Sequence, residues 1–130
     1  MTYPDEPPRQ FWPSMAALAV GLAVVFAVSW AAVQACNWLE LPAAKFDRWM
    51  LIAGGVAVTA GAYVTARLAP RRPLRHAIEM GVLAVAIKLA LTFGGIASGA
   101  LPIWETFLPH ALVLPAAWLG GRLYAGRRAR

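Results

Sequence analysis

Charged side chains are scarce in this 130-residue chain. Asp, Glu, Lys and Arg make up 14% of it, against about 25% in a typical soluble domain. Hydrophobic residues make up 60%, which is more than a chain this short can hide from water in one core. These proportions exclude an ordinary soluble domain and favour a membrane protein.

Cysteine and histidine are also sparse, which limits the chemistry available to the chain. Cys36 is its one cysteine, and it has two histidines, so an intrachain disulfide and a cysteine-only metal site are excluded. The sequence contains no paired-cysteine motif, glycine-rich phosphate loop or HExxH pattern. We therefore predict no catalytic residue, no cofactor and no metal site, and a protein that is not an enzyme.

Four apolar segments dominate what is present, and each is about long enough to cross a bilayer. We predict an all-α fold of four transmembrane helices in two antiparallel hairpins, forming one bundle domain over residues 11–126. The predicted helices cover residues 14–36, 49–68, 74–94 and 102–124. The polar, proline-rich residues 1–10 predict a disordered lead, and residues 127–130 a basic tail. A kink or break in the fourth segment is expected from its prolines, Pro102, Pro109 and Pro115.

Small residues recur at every fourth position in the first two segments, a spacing that lets membrane helices pack closely. The stripe in the first segment consists of Ala19, Ala23, Ala27, Ala31 and Ala35. The stripe in the second consists of Ala53, Ala57, Gly61 and Thr65. We predict that the two stripes dock against each other.

Arginines predict the orientation of the chain. Eight of the twelve basic residues lie in two clusters beside apolar segments. The hinge cluster is Arg67, Arg71, Arg72 and Arg75, and the tail cluster is Arg122, Arg127, Arg128 and Arg130. On the opposite side, Lys45 and Arg48 are balanced by Glu40 and Asp47. Positive charge favours the cytoplasmic side, so both termini should lie in the cytoplasm and the protein in the cell inner (plasma) membrane. The eight arginines should contact anionic lipid headgroups, and no nucleic-acid partner is predicted.

Three ionisable residues in the predicted outer half of the second hairpin are candidates for function. These are Lys88, Glu105 and His110. Lys88 and His110 should lie at similar depth, where an unpaired charge is costly, and Glu105, about one turn nearer the outside, could pair with Lys88. They could form a polar cluster that binds a substrate or ion. Alternatively, Lys88 extends along its own stem toward the interface, while His110 bonds a carbonyl freed by a proline.

Two further sites each allow two interpretations. His76 and Glu79 could form a proton site at the inner rim, but an ion pair of Glu79 with Arg75 or Arg72 is favoured. Residues 33–36 faintly resemble a lipoprotein processing site, although the apolar run is too long for a signal peptide. Cys36 is better interpreted as a small hydrophobic residue.

The stretch GAYVTARLAPRRPLRHA, with the later LPAAWLGGRL, resembles segments of small four-helix bacterial inner-membrane proteins that lack an assigned activity. Small multidrug transporters, by contrast, carry an acid in the middle of the first helix, which residues 14–36 lack. The resemblance implies a four-helix membrane bundle and no particular reaction.

Three functions are consistent with these features. The leading one is a non-enzymatic accessory, assembly or oligomerising membrane module, with a second copy or a larger membrane protein as its partner. The alternative is a small transporter or channel that uses Lys88, Glu105 and His110. The third is a holin-like protein, suggested by small size and the basic tail.

Overall fold

The computed structural model describes residues 11–97, 107 and 109–128, and within them every regular element is a helix. The predicted all-α class is confirmed. The elements are α1 (Phe11–Trp38), α2 (Ala43–Leu68), α3 (Pro73–Ala97) and α4 (Val113–Arg128). The predicted disordered lead at residues 1–10 lies outside the described part of the chain.

Three of these helices are long and apolar enough to cross a membrane, over Phe11–Trp38, Lys45–Leu68 and Pro73–Phe93. The fourth predicted span is not confirmed, because α4 has 16 residues and reaches about 24 Å at the helical rise. The predicted break is present: helical geometry at residues 109–111 stops at a turn on Leu112 before α4 begins. The basic tail predicted from residue 127 starts within α4.

Two short connections separate the first three helices. In residues 39–42, Glu40 adopts a φ of 47°, and Pro42 leads directly into α2, which begins six residues before the predicted start at 49. In the hinge, Arg72 adopts a φ of 49°, and Pro73 opens α3. Proline suits this first helical position because its missing N–H would have no partner there.

Helix α2 lies at the centre of the bundle and contacts all three other helices. It runs antiparallel to α1, since Gly61 meets Gly21 while Trp49 reaches Ala32. Helix α3 runs antiparallel to α4, because Gly81 lies against Ala117 and Gly121 against Ala77. The described residues therefore form two antiparallel hairpins, with α2 and α4 side by side and parallel.

The core is built from small side chains. Its buried members are mostly alanines and valines with one methionine: Val25, Ala57, Val58, Ala62, Ala66, Ala77, Met80, Ala84, Val113 and Ala117. Small side chains allow the close backbone approach that supplies dispersion contacts between membrane helices. The hydroxyl of buried Thr65 donates to the Gly61 carbonyl at 2.9 Å, so its polar group is satisfied within α2.

The predicted docking of the two small-residue stripes is half wrong. On α2, Ala57, Gly61 and Thr65 are buried as predicted. On α1, however, the face that meets them carries Ala17, Gly21 and Val25. Ala19, Ala23, Ala27 and Ala31 point away from the bundle and are exposed. The inner face is selected by Gly21, because a Cβ at that position would collide with Thr65 and with the carbonyl oxygen of Gly61.

Candidate functional site

Lys88 lies on α3, five residues before the end of the candidate span Pro73–Phe93, and its side chain faces α2. A methyl group built on Gly54 would lie 3.9 Å from the Lys88 Nζ atom, so the ammonium sits against the backbone of α2. Gly54 is nine residues from the start of the span Lys45–Leu68, about 14 Å along the helix axis. The ammonium is therefore held beside α2 rather than at the end of α3.

A cavity of about 40 Å³ adjoins the Lys88 side chain. It is lined by residues of α2, α3 and the start of the last helical segment: Met50, Leu51, Gly54, Gly55, Lys88, Pro109, Leu112 and Val113. A site for one water needs about 10–15 Å³ and polar partners, so this volume suits a few waters or a small ion. Gly54 keeps this space open, because a side chain there would extend toward Lys88.

The predicted cluster of Lys88, Glu105 and His110 stays a prediction. Glu105 lies outside the described residues. Pro109 lines the Lys88 cavity, which puts the next residue, His110, at a similar level along the bundle, as the sequence suggests. Among the described residues, no carboxylate lies within ion-pair distance of Lys88. The hydroxyl of Thr92, one turn further along α3, donates to the Lys88 carbonyl.

The favoured interpretation of Glu79 is confirmed. Its Oε1 atom lies 2.7 Å from Nε of Arg75, one helical turn earlier, in an ion pair exposed on both sides. His76 is directed elsewhere, with Nδ1 3.3 Å from the carbonyl oxygen of Arg72. An exposed pair of this kind contributes about 0.3–0.5 kcal/mol to the stability of the helix.

The arginines at the ends of α2 and α4 differ in their surroundings. Arg67, Arg71, Arg72 and Arg75 are exposed around the hinge. Arg122 places its guanidinium carbon 5.0 Å from the centre of the Trp118 ring. Arg127 donates from Nη1 to the Tyr63 hydroxyl at 3.3 Å and lies 5.7 Å from the centre of that ring. Arg128 is within α4, and Arg130 lies outside the described residues.

The contact between Arg127 and Tyr63 was not predicted. Tyr63 also meets Tyr124 edge to face, with ring centres 5.8 Å apart. A sequence signal for it exists: GAYVTAR at the end of α2 and GRLYAGR at the end of α4 share a glycine and an arginine at matching positions. That similarity suggests that the two helices end in the same way, but it does not reveal which tyrosine meets which arginine.

Cys36 is buried near the C-terminal end of α1 and has a free thiol. Its environment fits the interpretation of a small hydrophobic side chain.

Comparison with known proteins finds no match of this chain to a protein-family model, to a curated protein or to a solved structure.

Proposed function

We propose that the chain is a non-enzymatic inner-membrane module that assembles with a second copy of itself or with a larger membrane protein. The proposal includes four spans, with the last completed by residues before Val113, and both termini in the cytoplasm. It extends the coarser result that three helices are apolar and long enough to cross a membrane.

The observation that carries this proposal is the second small-residue face of α1. One face, containing Gly21, packs on α2. The other, containing Ala19, Ala23, Ala27 and Ala31, is exposed. Helices in lipid associate through small residues that let backbones approach, so a helix with two such faces can hold a neighbour on each. Within the described chain, α1 contacts α2 and, less extensively, α3.

The test is blue-native electrophoresis of the full chain in mild detergent, joined to affinity purification from native membranes. We expect a complex larger than the monomer, or a co-purified membrane protein. Ala27→Leu should weaken that complex because the larger side chain separates the helices. Ala86→Leu is the matched control, since Ala86 is an exposed alanine on α3. A monomer that co-purifies with nothing, or equal effects of both variants, would refute the proposal.

A second candidate, a small anion channel or transporter, is favoured by the Lys88 cavity. An ammonium held beside a neighbouring helix within an apolar span marks a candidate ion path. Proteoliposomes loaded with potassium chloride would report anion efflux through a chloride electrode. We expect Lys88→Leu to abolish efflux at unchanged protein level and Lys45→Leu, at an exposed outer lysine, to leave it intact. Efflux that is absent from the wild type, or unchanged by Lys88→Leu, would exclude this function.

A further inference from the structure

A long apolar groove runs along the parallel pair α2 and α4. Its volume is about 1010 Å³, at the upper end of the usual range of about 300–1,000 Å³ for small-molecule sites. One wall includes Ile52, Val56 and Ala60 of α2, and the other includes Leu119 and Leu123 of α4. Several of these side chains are more than half exposed, including Ile52 at 64% and Val56 at 58%.

The groove is somewhat longer than one leaflet of a bilayer. Along α2, its lining extends from Leu51 to Val64, which is about 20 Å at the helical rise. Half of a typical hydrocarbon core is about 15 Å thick. An apolar chain that spans one leaflet would therefore lie within the groove and fill most of its length.

The two ends of the groove differ in charge. Leu51 and Leu112 line one end, and Tyr63 and Arg127 line the other. Of the described lining residues, Arg127 alone carries a charge. Its guanidinium is positioned by the Tyr63 hydroxyl at 3.3 Å, and Tyr63 is in turn held against Tyr124. A guanidinium presents a planar fork of N–H donors that suits a phosphate.

We propose that this groove is a binding site for one anionic phospholipid, with an acyl chain along α2 and α4 and the phosphate on Arg127. Of the eight arginines in the hinge and tail clusters, Arg127 is the one that lines this groove. The groove is separate from the exposed face of α1. The amphipathic form of the groove, apolar along its length and cationic at one end, is complementary to that ligand.

Native mass spectrometry of the full chain tests the headgroup part of this site. Phosphatidylglycerol or phosphatidylcholine with the same acyl chains is added at equal concentration. We expect the wild type to retain phosphatidylglycerol about fivefold better, the ratio that corresponds to about 1 kcal/mol for one arginine near an anionic lipid. Arg127→Gln should remove the preference, and Arg127→Lys should keep part of it. Arg48→Gln removes an exposed arginine at the other end of α2 that is not one of the eight and does not line the groove, and it should leave the preference intact.

The acyl-chain part is tested by filling the groove. Val56→Trp should lower retention of both lipids several-fold. Val82→Trp is the control, because Val82 is 54% exposed on α3 and does not line the groove. Equal effects of Arg127→Gln and Arg48→Gln would overturn the site, as would unchanged lipid retention in Val56→Trp. If Val56→Trp dissociates an oligomer while lipid retention is unchanged, the groove holds a second copy instead and the lipid proposal is wrong.

Discussion

Helix α1 carries small residues on two faces, and the bundle covers one of them. The covered face contains Ala17, Gly21 and Val25, whereas the exposed face repeats alanine at the same four-residue spacing. The difference lies in Gly21, whose missing side chain admits the Gly61 carbonyl and the Thr65 side chain of α2. Spacing therefore makes a face suitable for close packing, while the residue at the point of closest approach determines which face is used.

The largest expected effect comes from a bulky residue on the covered face. Gly21→Leu should lower the free energy of unfolding by about 3 kcal/mol, because overpacking costs about 1–3 kcal/mol in a dense core and α2 cannot move without losing its other contacts. Ala23→Leu, on the exposed face, should change it by less than about 0.5 kcal/mol. Unfolding by SDS titration in mixed micelles measures both. Similar losses of unfolding free energy in the two variants would show that the two faces of α1 contribute equally to stability.

A smaller effect should appear as coupling between Gly21 and Thr65. Gly21→Ala places a methyl group against the Thr65 side chain, and Thr65→Ala removes the obstacle. The double variant should be more stable than the sum of the single losses predicts, by about 1 kcal/mol. Gly55→Ala with Thr65→Ala is the control, since a Cβ at Gly55 meets nothing within 4 Å. If the losses of unfolding free energy are additive in both pairs of variants, the close contact between Gly21 and Thr65 is contradicted.

The smallest effect concerns a hydrogen bond between the start of α2 and the C-terminal part of α1. Trp49 donates from Nε1 to the Ala32 carbonyl at 3.3 Å. Trp49→Phe should cost about 0.6 kcal/mol, the average for side-chain hydrogen bonds between membrane helices. Trp30→Phe is the control for the loss of ring area, because it makes the same change on a ring that is 67% exposed on α1. Equal costs in the SDS titration would mean that the hydrogen bond contributes nothing.

Much of the fold follows from composition and the position of proline. The apolar runs predict the helices, since backbone groups in lipid must bond within their own segment. Pro70 and Pro73 with the hinge arginines predict the end of α2 and the start of α3. The start of the last helix was harder to predict, because residues 102–124 are largely apolar and the turn falls on Leu112, between Pro109 and Pro115, rather than on either proline.

The candidate sites were predictable to different degrees. Lys88 was identifiable from the sequence, because a charged side chain within an apolar run costs free energy and is therefore rare unless it has a function. The Lys88 cavity was not, because it depends on Gly54 of α2 facing Lys88 of α3. The groove between α2 and α4 was also not predictable, since it requires two helices 60 residues apart in sequence to run parallel.

The sequence by itself determined the class of this protein: hydrophobic stretches joined by short polar turns, with arginine concentrated at two helix ends. Helical period and hydropathy are local properties, so they can be derived from the order of residues. Tertiary structure alone decided that Gly21 rather than Ala23 faces α2, that Tyr63 positions Arg127, and that an apolar groove remains between α2 and α4. The physical reason is that these features depend on the relative rotation and register of the helices, which many small contacts fix together.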